Sequence, residues 1–135
     1  MTENNRITAP EEAPFVDLDF VDTPEQDYDG DRPPIAVLCG STRFRKEIED
    51  ANHDLTLQGY IVLAPGVFHH TDEQHLDDED KAALDRLHLR KIDMADVVMV
   101  VNPGGYIGHS TTTEIAYSNS LSKPVLYTDA PAENV

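Results

Sequence analysis

The chain has 135 residues, a length typical of one domain. It carries 26 acidic side chains against 10 basic ones, for a formal net charge of -16. Such a surface repels a polymer of phosphates, so we do not expect DNA or RNA as a partner. A small anion held by backbone amides in one pocket is compatible with it.

The cysteine content and the distribution of apolar residues both favour the cytoplasm as the location of the protein. Cys39 is the only cysteine, so no internal disulfide can form, and a reducing compartment is favoured. No basic and apolar leader stands at the start, and no apolar stretch is long enough to span a bilayer. We therefore expect a cytoplasmic protein with no membrane partner. At the end of an apolar run, Cys39 is predicted to be a small core side chain rather than a reactive thiol.

Residues 1–34 differ in composition from the rest of the chain. They hold ten acidic residues, two basic residues and five prolines. Such a segment buries too little apolar surface to offset its ordering entropy, and we expect it to be mostly disordered. A partial alternation of apolar and acidic residues at 15–21 leaves docking on a surface or a partner as an alternative. Pro33-Pro34 marks the predicted start of the folded domain, residues 35–135.

From residue 35 onward the pattern alternates between strands and helices. Strands are predicted at 35–39, 60–64, 97–101 and 124–127, and helices at 43–58, 79–95 and 111–121. This alternation indicates an α/β fold. We expect a three-layer α-β-α sandwich around a small parallel sheet of four to five strands, of flavodoxin- or Rossmann-like type.

The loop after the first strand, Gly40-Ser41-Thr42-Arg43, is the first candidate for binding. In parallel sheets, ligands bind beyond the carboxyl ends of the strands. Gly40 permits a tight turn, Ser41 or Thr42 can cap the helix, and the free N–H groups of its first turn suit an anion. Arg43 adds a charge. The loop predicts an anion site of nucleotide size, although a plain helix cap has the same pattern.

The loop after the third strand begins the sequence N-P-G-G-Y-I-G-H-S-T-T-T-E-I. Its glycines permit close approach of the backbone to a ligand, and its hydroxyl groups can cap a helix or bind a ligand. Glu114 has two interpretations, a catalytic carboxylate or a capping-box partner for Ser110 or Thr111. Asp93, near the end of the second helix, is either functional or a solvated surface residue.

No metal or cofactor is predicted. The stretch from His69 to Asp77 is rich in histidine and acidic residues, but it lacks the fixed ligand spacing of a metal site, and solvated loop residues explain it. No G-x-S-x-G nucleophile motif is present.

Taken together, these motifs resemble the nucleoside 2-deoxyribosyltransferase-like superfamily over residues 35–128. The similarity is carried by C-G-S-T-R after the first strand, by R-K-I-D-M-A-D before the third, and by the N-P-G-G-Y-I-G-H-S-T-T-T-E-I-A-Y block before a final K-P-V. The last block is the most specific. The family includes transferases that exchange nucleobases and N-glycosidases that hydrolyse nucleoside 5′-monophosphates.

The resemblance implies a double-displacement glycosyl mechanism. Glu114 matches the family's nucleophile, and Asp93 matches an acid that contacts the sugar and assists proton transfer. The residues implied at the sugar and base are Gly40, Ser41, Thr42 and Arg43. Those implied at the sugar and 5′-phosphate are Asn102, Gly105, Tyr106 and Ser110, with the phosphate at Ser110 and its helix N-terminus.

Two functions follow as hypotheses. The first is an enzyme that cleaves or transfers the base of a small nucleotide, with Glu114 facing the cleft. The second is a sensor that binds a nucleotide without cleaving it, with Glu114 used as a helix cap. A homodimer or higher homo-oligomer is expected, because the resemblance implies it and because two-fold dimers are the commonest closed assembly. Because the sequence ends soon after the fourth strand, we expect a partner chain or the acidic segment to supply any missing wall of the pocket.

Overall fold

Four short strands form one sheet in which each neighbouring pair runs parallel. The computed structural model of the chain describes residues 32–68 and 76–130. Within them the strands are β1 (Ile35–Cys39), β2 (Ile61–Leu63), β3 (Val97–Val100) and β4 (Val125–Tyr127). They lie in the order β2-β1-β3-β4, so β1 and β3 are central.

Three helices cover the two faces of this sheet. They are α1 (Arg45–Leu57), α2 (Asp78–Met94) and α3 (His109–Ser120). On one face Ile48 of α1 packs in a cluster with Leu38 and Met99. On the other face Ile92 of α2 packs with Val37, and α3 adds partly buried side chains. Because both faces are covered, every residue of β1 and β3 is buried, which explains their uninterrupted apolar sequences. The predicted α/β sandwich with a parallel sheet is confirmed. No described helix is long and apolar enough to cross a bilayer.

The order of the strands reverses between β1 and β3. From β1 the chain passes through α1 to β2 on one side, and α2 then carries it back past β1 to β3. Cys39 at the end of β1 pairs with Val100 at the end of β3. The loops that follow these two strands therefore leave the sheet side by side, which creates a crevice at its carboxyl edge.

An ion pair holds the opposite edge of the sheet. The Arg32 guanidinium donates to the Asp96 carboxylate at 2.7 Å, and the same carboxylate accepts the N–H of Ile35 at 2.9 Å. These bonds tie the first described residues to the chain between α2 and β3. The acidic segment predicted at 1–34 precedes this anchor, and its residues 1–31 lie outside the described residues.

Candidate functional site

A cleft of about 450 Å³ opens at the carboxyl edge of the sheet. One wall is the loop 40–43 with residues 65–67 after β2, and the other is formed by α2 and by residues between 106 and 114 at the start of α3. The volume lies in the range of small-molecule sites. The cleft thus occupies the crevice that the strand order creates.

The loop between β1 and α1 is held close to the end of β3. A Cβ added at Gly40 would lie 2.6 Å from the carbonyl oxygen of Val101, so the backbone approaches too closely for any side chain. The loop closes through a bond from the Phe44 N–H to the Ser41 carbonyl at 3.0 Å. Thr42 Oγ1 is buried and has no hydrogen-bond partner among the described residues. At the wall of a cleft, such a hydroxyl can bind a polar group of a ligand.

Arg43 of this wall contacts Tyr106 of the other wall. The Arg43 guanidinium carbon lies 5.1 Å from the centroid of the Tyr106 ring, within the range of a cation–π contact. The Phe44 ring meets the same tyrosine edge to face at 5.8 Å. Tyr106 nevertheless keeps 43% of its surface exposed. A positive charge and an aromatic face are therefore both presented to a ligand.

Asn102, after β3, secures the loop that leads to α3. It is fully buried, and its side-chain oxygen accepts the Asp129 N–H at 3.0 Å and the Thr128 hydroxyl at 3.3 Å. Gly104 donates its N–H to the Asp129 carboxylate at 2.8 Å, and the buried Gly105 donates to the Asn102 carbonyl at 2.7 Å. Asn102 and Gly105 do not line the cleft, and the binding roles inferred for them stay predictions.

The N-terminus of α3 faces the cleft without a side-chain cap. The N-cap residue is Gly108, and within residues 32–68 and 76–130 no side chain bonds to the free N–H groups of the first turn. His109, Ser110 and Thr111 line the cleft at this turn. Since neither hydroxyl residue occupies the cap, Glu114 is not part of the predicted capping box. The exposed end of the helix favours an anion.

Glu114 lies on the second turn of α3, and its carboxyl group points into the cleft wall. Only 14% of its side chain is exposed. Burial raises its pKa to about 7, and the charge of Asp85 acts in the same direction. A hydrogen bond from the Cys39 thiol and the charge of Lys81 oppose the rise. Near neutral pH this carboxyl group is thus divided between its protonated and ionised forms.

His88 lines the cleft beside Glu114, and the buried Cys39 lies behind it. Cys39 Sγ lies 3.5 Å from His88 Nε2, and His88 Nε2 lies 3.9 Å from a carboxyl oxygen of Glu114. Burial, together with the charge of Lys91, lowers the pKa of His88 to about 4. The imidazole is therefore neutral at pH 7, and its contact with Glu114 is not an ion pair. Burial also raises the pKa of the Cys39 thiol, which stays protonated in the absence of a further ligand.

Asp93 lies away from the cleft. The Tyr117 hydroxyl donates to its carboxylate at 2.5 Å, and Arg90 pairs with it at 2.7 Å. At roughly 100° per residue, Asp93 is about 140° around α2 from His88. The hydrogen bond from Tyr117 is the largest cause that lowers the pKa of Asp93. The predicted contact between Asp93 and the sugar is not tested, and the position of Asp93 outside the cleft does not favour it.

Most of the predicted site residues do come together. Those that line the cleft are Gly40, Ser41, Thr42, Arg43, Tyr106, Ser110 and Glu114. Four polar residues of α2 also line it and were not predicted, namely Lys81, Asp85, His88 and Lys91. The first three recur at helical spacing along one face of α2. That spacing is a usable signal in the sequence, but it does not say which face of the helix meets the site.

No protein-family model matches the chain, and a search of curated proteins found no match.

Proposed function

We propose that the protein cleaves the N-glycosidic bond of a (deoxy)nucleoside 5′-monophosphate, or transfers its base, as a member of the nucleoside 2-deoxyribosyltransferase-like superfamily. The observation that carries this proposal is the position of Glu114. Its side chain is 14% exposed, lies at the cleft and is not used by a helix cap. A buried carboxylate repels an anionic ligand, so a site built only to hold a nucleotide gains nothing from it.

Glu114 is suited to nucleophilic attack on the anomeric carbon of the sugar. Its ionised oxygen would form an ester with C1′ while the C1′–N bond breaks, and the base leaves with that electron pair and takes a proton from solvent water. Water would then attack C1′, leave its hydroxyl group there, return a proton to the solvent and restore the carboxylate. In a transferase a second base would replace the water.

The N-terminus of α3 supports binding of the 5′-phosphate. Its uncapped N–H groups and the Ser110 hydroxyl lie at the cleft, and Arg43 stands on the facing wall. A helix N-terminus and a guanidinium group both stabilise phosphate charge. Arg43 lies over the Tyr106 ring, and the 43% of Tyr106 that is exposed offers aromatic surface for the base.

Asp85 is the second carboxylate at the cleft, and we assign it the contact with the sugar that the resemblance implies for Asp93. Asp85 lies on α2 and pairs with Lys81 at 3.0 Å. Both side chains line the cleft, whereas Asp93 does not. An ionised carboxylate in this position accepts hydrogen bonds from sugar hydroxyl groups.

We propose that a second copy of the chain packs against the exposed apolar side chains of α2. Leu87 lines the cleft but is 54% exposed, and Met94, two turns further along the helix, is 60% exposed. Apolar side chains in such a row are typical of a helix that packs against a partner. Light scattering at several concentrations should give the mass of a dimer, and a monomer at all of them would contradict this assignment.

Release of free base tests the proposed activity. The protein is incubated with a panel of ribo- and deoxyribonucleoside 5′-monophosphates, and free base is followed by chromatography. We expect release from at least one nucleotide and its loss in Glu114→Gln. The matched control is Glu49→Gln on α1, where the side chain is 62% exposed and pairs with Arg45.

The alternative outcome is a nucleotide sensor. If no nucleotide loses its base while one of them raises the melting temperature, the enzyme proposal is wrong and the cleft binds without cleaving.

A further inference from the structure

Three side chains of different chemistry meet at the wall of the cleft, where His88 and Glu114 line it and Cys39 lies buried behind them. They are the Cys39 thiol at the end of β1, the His88 imidazole on α2 and the Glu114 carboxyl group on α3. Each offers one ligand atom, and the three atoms all lie within 4.8 Å of one another. They come from three separate elements of the fold, so their convergence is a property of the tertiary structure.

The separations of these atoms are close to those of a zinc site. Zinc bonds of about 2.3 Å to sulfur and about 2.0–2.1 Å to nitrogen, at a tetrahedral angle, place the two ligand atoms roughly 3.6 Å apart. Cys39 Sγ and His88 Nε2 are 3.5 Å apart. In an ideal tetrahedral zinc site, a nitrogen ligand and an oxygen ligand lie roughly 3.4 Å apart. His88 Nε2 and the nearer Glu114 oxygen are 3.9 Å apart, and Cys39 Sγ lies within 4.8 Å of the Glu114 ligand oxygen. Rotation of the Glu114 side chain toward the other two ligands would complete the geometry.

The surroundings favour a divalent cation over an organic ligand at this point. His88 is 8% exposed and Cys39 is fully buried, so the ligand atoms lie in a nearly dry environment. A thiolate and a carboxylate together neutralise the two charges of the cation, and the imidazole adds none. Lys81 is paired with Asp85 at 3.0 Å, and the Lys91 ammonium donates to the Ala64 carbonyl at 2.8 Å. The Lys81 charge is thus balanced by a carboxylate, whereas the Lys91 charge is not and acts against a cation at His88.

We propose that Cys39, His88 and Glu114 form a binding site for a thiophilic divalent cation of the Zn²⁺ class, open to the cleft at its fourth position. Sulfur and imidazole ligands select Zn²⁺ over Mg²⁺ and Ca²⁺, which prefer oxygen ligands. On binding, the Cys39 thiol loses its proton to the solvent, and a sulfur–metal bond replaces the S–H bond. Water or a ligand in the cleft occupies the fourth position.

Metal binding at this site is expected to affect base release. This expectation depends on the proposed function. A cation bound to the Glu114 oxygen takes the lone pair that attacks the sugar. Zn²⁺ is therefore expected to inhibit base release, and a chelator is expected to restore it.

Titration with Co²⁺ tests the site without reference to activity, because Co²⁺ takes the place of Zn²⁺ and is coloured. The full chain is freed of metal by a chelator, kept reduced without added thiol and titrated with Co²⁺. Since Cys39 is the only cysteine, a thiolate-to-cobalt charge-transfer band reports on this site alone. We expect the band to saturate at one cobalt per chain and to disappear when Zn²⁺ is added.

Variants of each ligand separate this site from other metal binding. Cys39→Ser should abolish the band, and His88→Gln and Glu114→Gln should each weaken Co²⁺ binding more than tenfold. The matched control is His53→Gln on α1, whose side chain is 70% exposed, and it should bind as the unchanged protein does. Circular dichroism of each variant checks that it is folded, and His88→Gln keeps the thiol if Cys39→Ser fails to fold.

Two results would overturn the proposal. The first is the lack of any charge-transfer band at millimolar Co²⁺. The second is metal binding that gives no such band and is unchanged by Cys39→Ser or His88→Gln. That result would place the metal elsewhere on the chain, such as among the histidines between residues 69 and 75.

Discussion

Glu114 is buried, and burial destabilises the ionised form of its carboxyl group. Its pKa is raised to about 7, mainly by burial, whereas the same group in the unfolded chain has its ordinary value near 4.5. The folded protein therefore binds this proton more tightly than the unfolded chain does. It follows that the free energy of unfolding falls as the pH rises from about 4.5 through 7.

Glu114→Gln should remove this dependence. The amide has nearly the same shape and no charge, so the variant should gain stability relative to the unchanged protein as the pH rises. A pKa difference of this size corresponds to about 3 kcal/mol above pH 7 and to little at pH 4.5. Urea unfolding at pH 5 and pH 8 measures the effect, with Glu49→Gln as the exposed control. Parallel pH profiles for Glu114→Gln and the unchanged protein would show that the carboxyl group is not perturbed.

The role of a carboxylate on α2 depends on which face of the helix carries it. Asp85 and Asp93 both lie on α2 and are both exposed, but only Asp85 lines the cleft. Asp93 is held by Tyr117 and Arg90 outside the cleft. The two residues therefore make a matched pair for asking where the sugar is bound.

Substitution of each by asparagine distinguishes the two positions. We expect Asp85→Asn to lower kcat/KM for base release by about tenfold or more, because a hydrogen bond to the sugar is weakened in the transition state. Asp93→Asn should stay within about twofold of the unchanged protein. The reverse order would restore the sugar contact to Asp93, as the family resemblance implies, and would require α2 to be placed differently in the active form.

The loop after β1 is positioned by its close approach to the end of β3. The carbonyl oxygen of Val101 would lie 2.6 Å from a Cβ at Gly40, whereas a Cβ at Gly66 would meet nothing within 4 Å. Gly40→Ala must therefore push the loop or the strand aside, at a cost of about 1–3 kcal/mol typical of overpacking. Urea unfolding of Gly40→Ala beside Gly66→Ala measures this difference. Equal stability of the two variants would mean that the loop yields without strain.

The elements were largely predictable from the sequence, whereas the ends of two helices were not. Continuous apolar runs and helical periodicity indicated all four strands and three helices. The first helix was predicted to begin at residue 43 but begins at Arg45, because Phe44 has a non-helical backbone conformation. The third was predicted at residue 111 but begins at His109, because Gly108 rather than a hydroxyl residue is the N-cap. Local propensity favours Ser or Thr at a cap, and here the loop geometry overrides it.

The partners of Glu114 could not be predicted, since they depend on how the elements pack. Cys39 was interpreted as a core residue and His88 was not singled out. The structure brings both to Glu114 by packing α2 and α3 on the same face of the sheet. No spacing along the chain encodes that contact.

At the scale of the whole molecule, the order of the strands determines where the cleft lies. The reversal between β1 and β3 places two loops and the N-terminus of α3 around one crevice. The net charge of -16 disfavours binding of a nucleic-acid polymer, while the local N–H groups and Arg43 are compatible with one phosphate. This combination is the basis on which we propose a small anionic substrate with its sugar over Glu114.

The most direct test of the role of Glu114 is the intact mass of the protein quenched during turnover of a nucleotide that loses its base. We expect a species heavier by one sugar phosphate, with the added mass on the peptide that contains Glu114 and absent from Glu114→Gln. Steady release of base with no adduct on any rapid quench, or with the adduct on another residue, would contradict the role of Glu114 as the nucleophile.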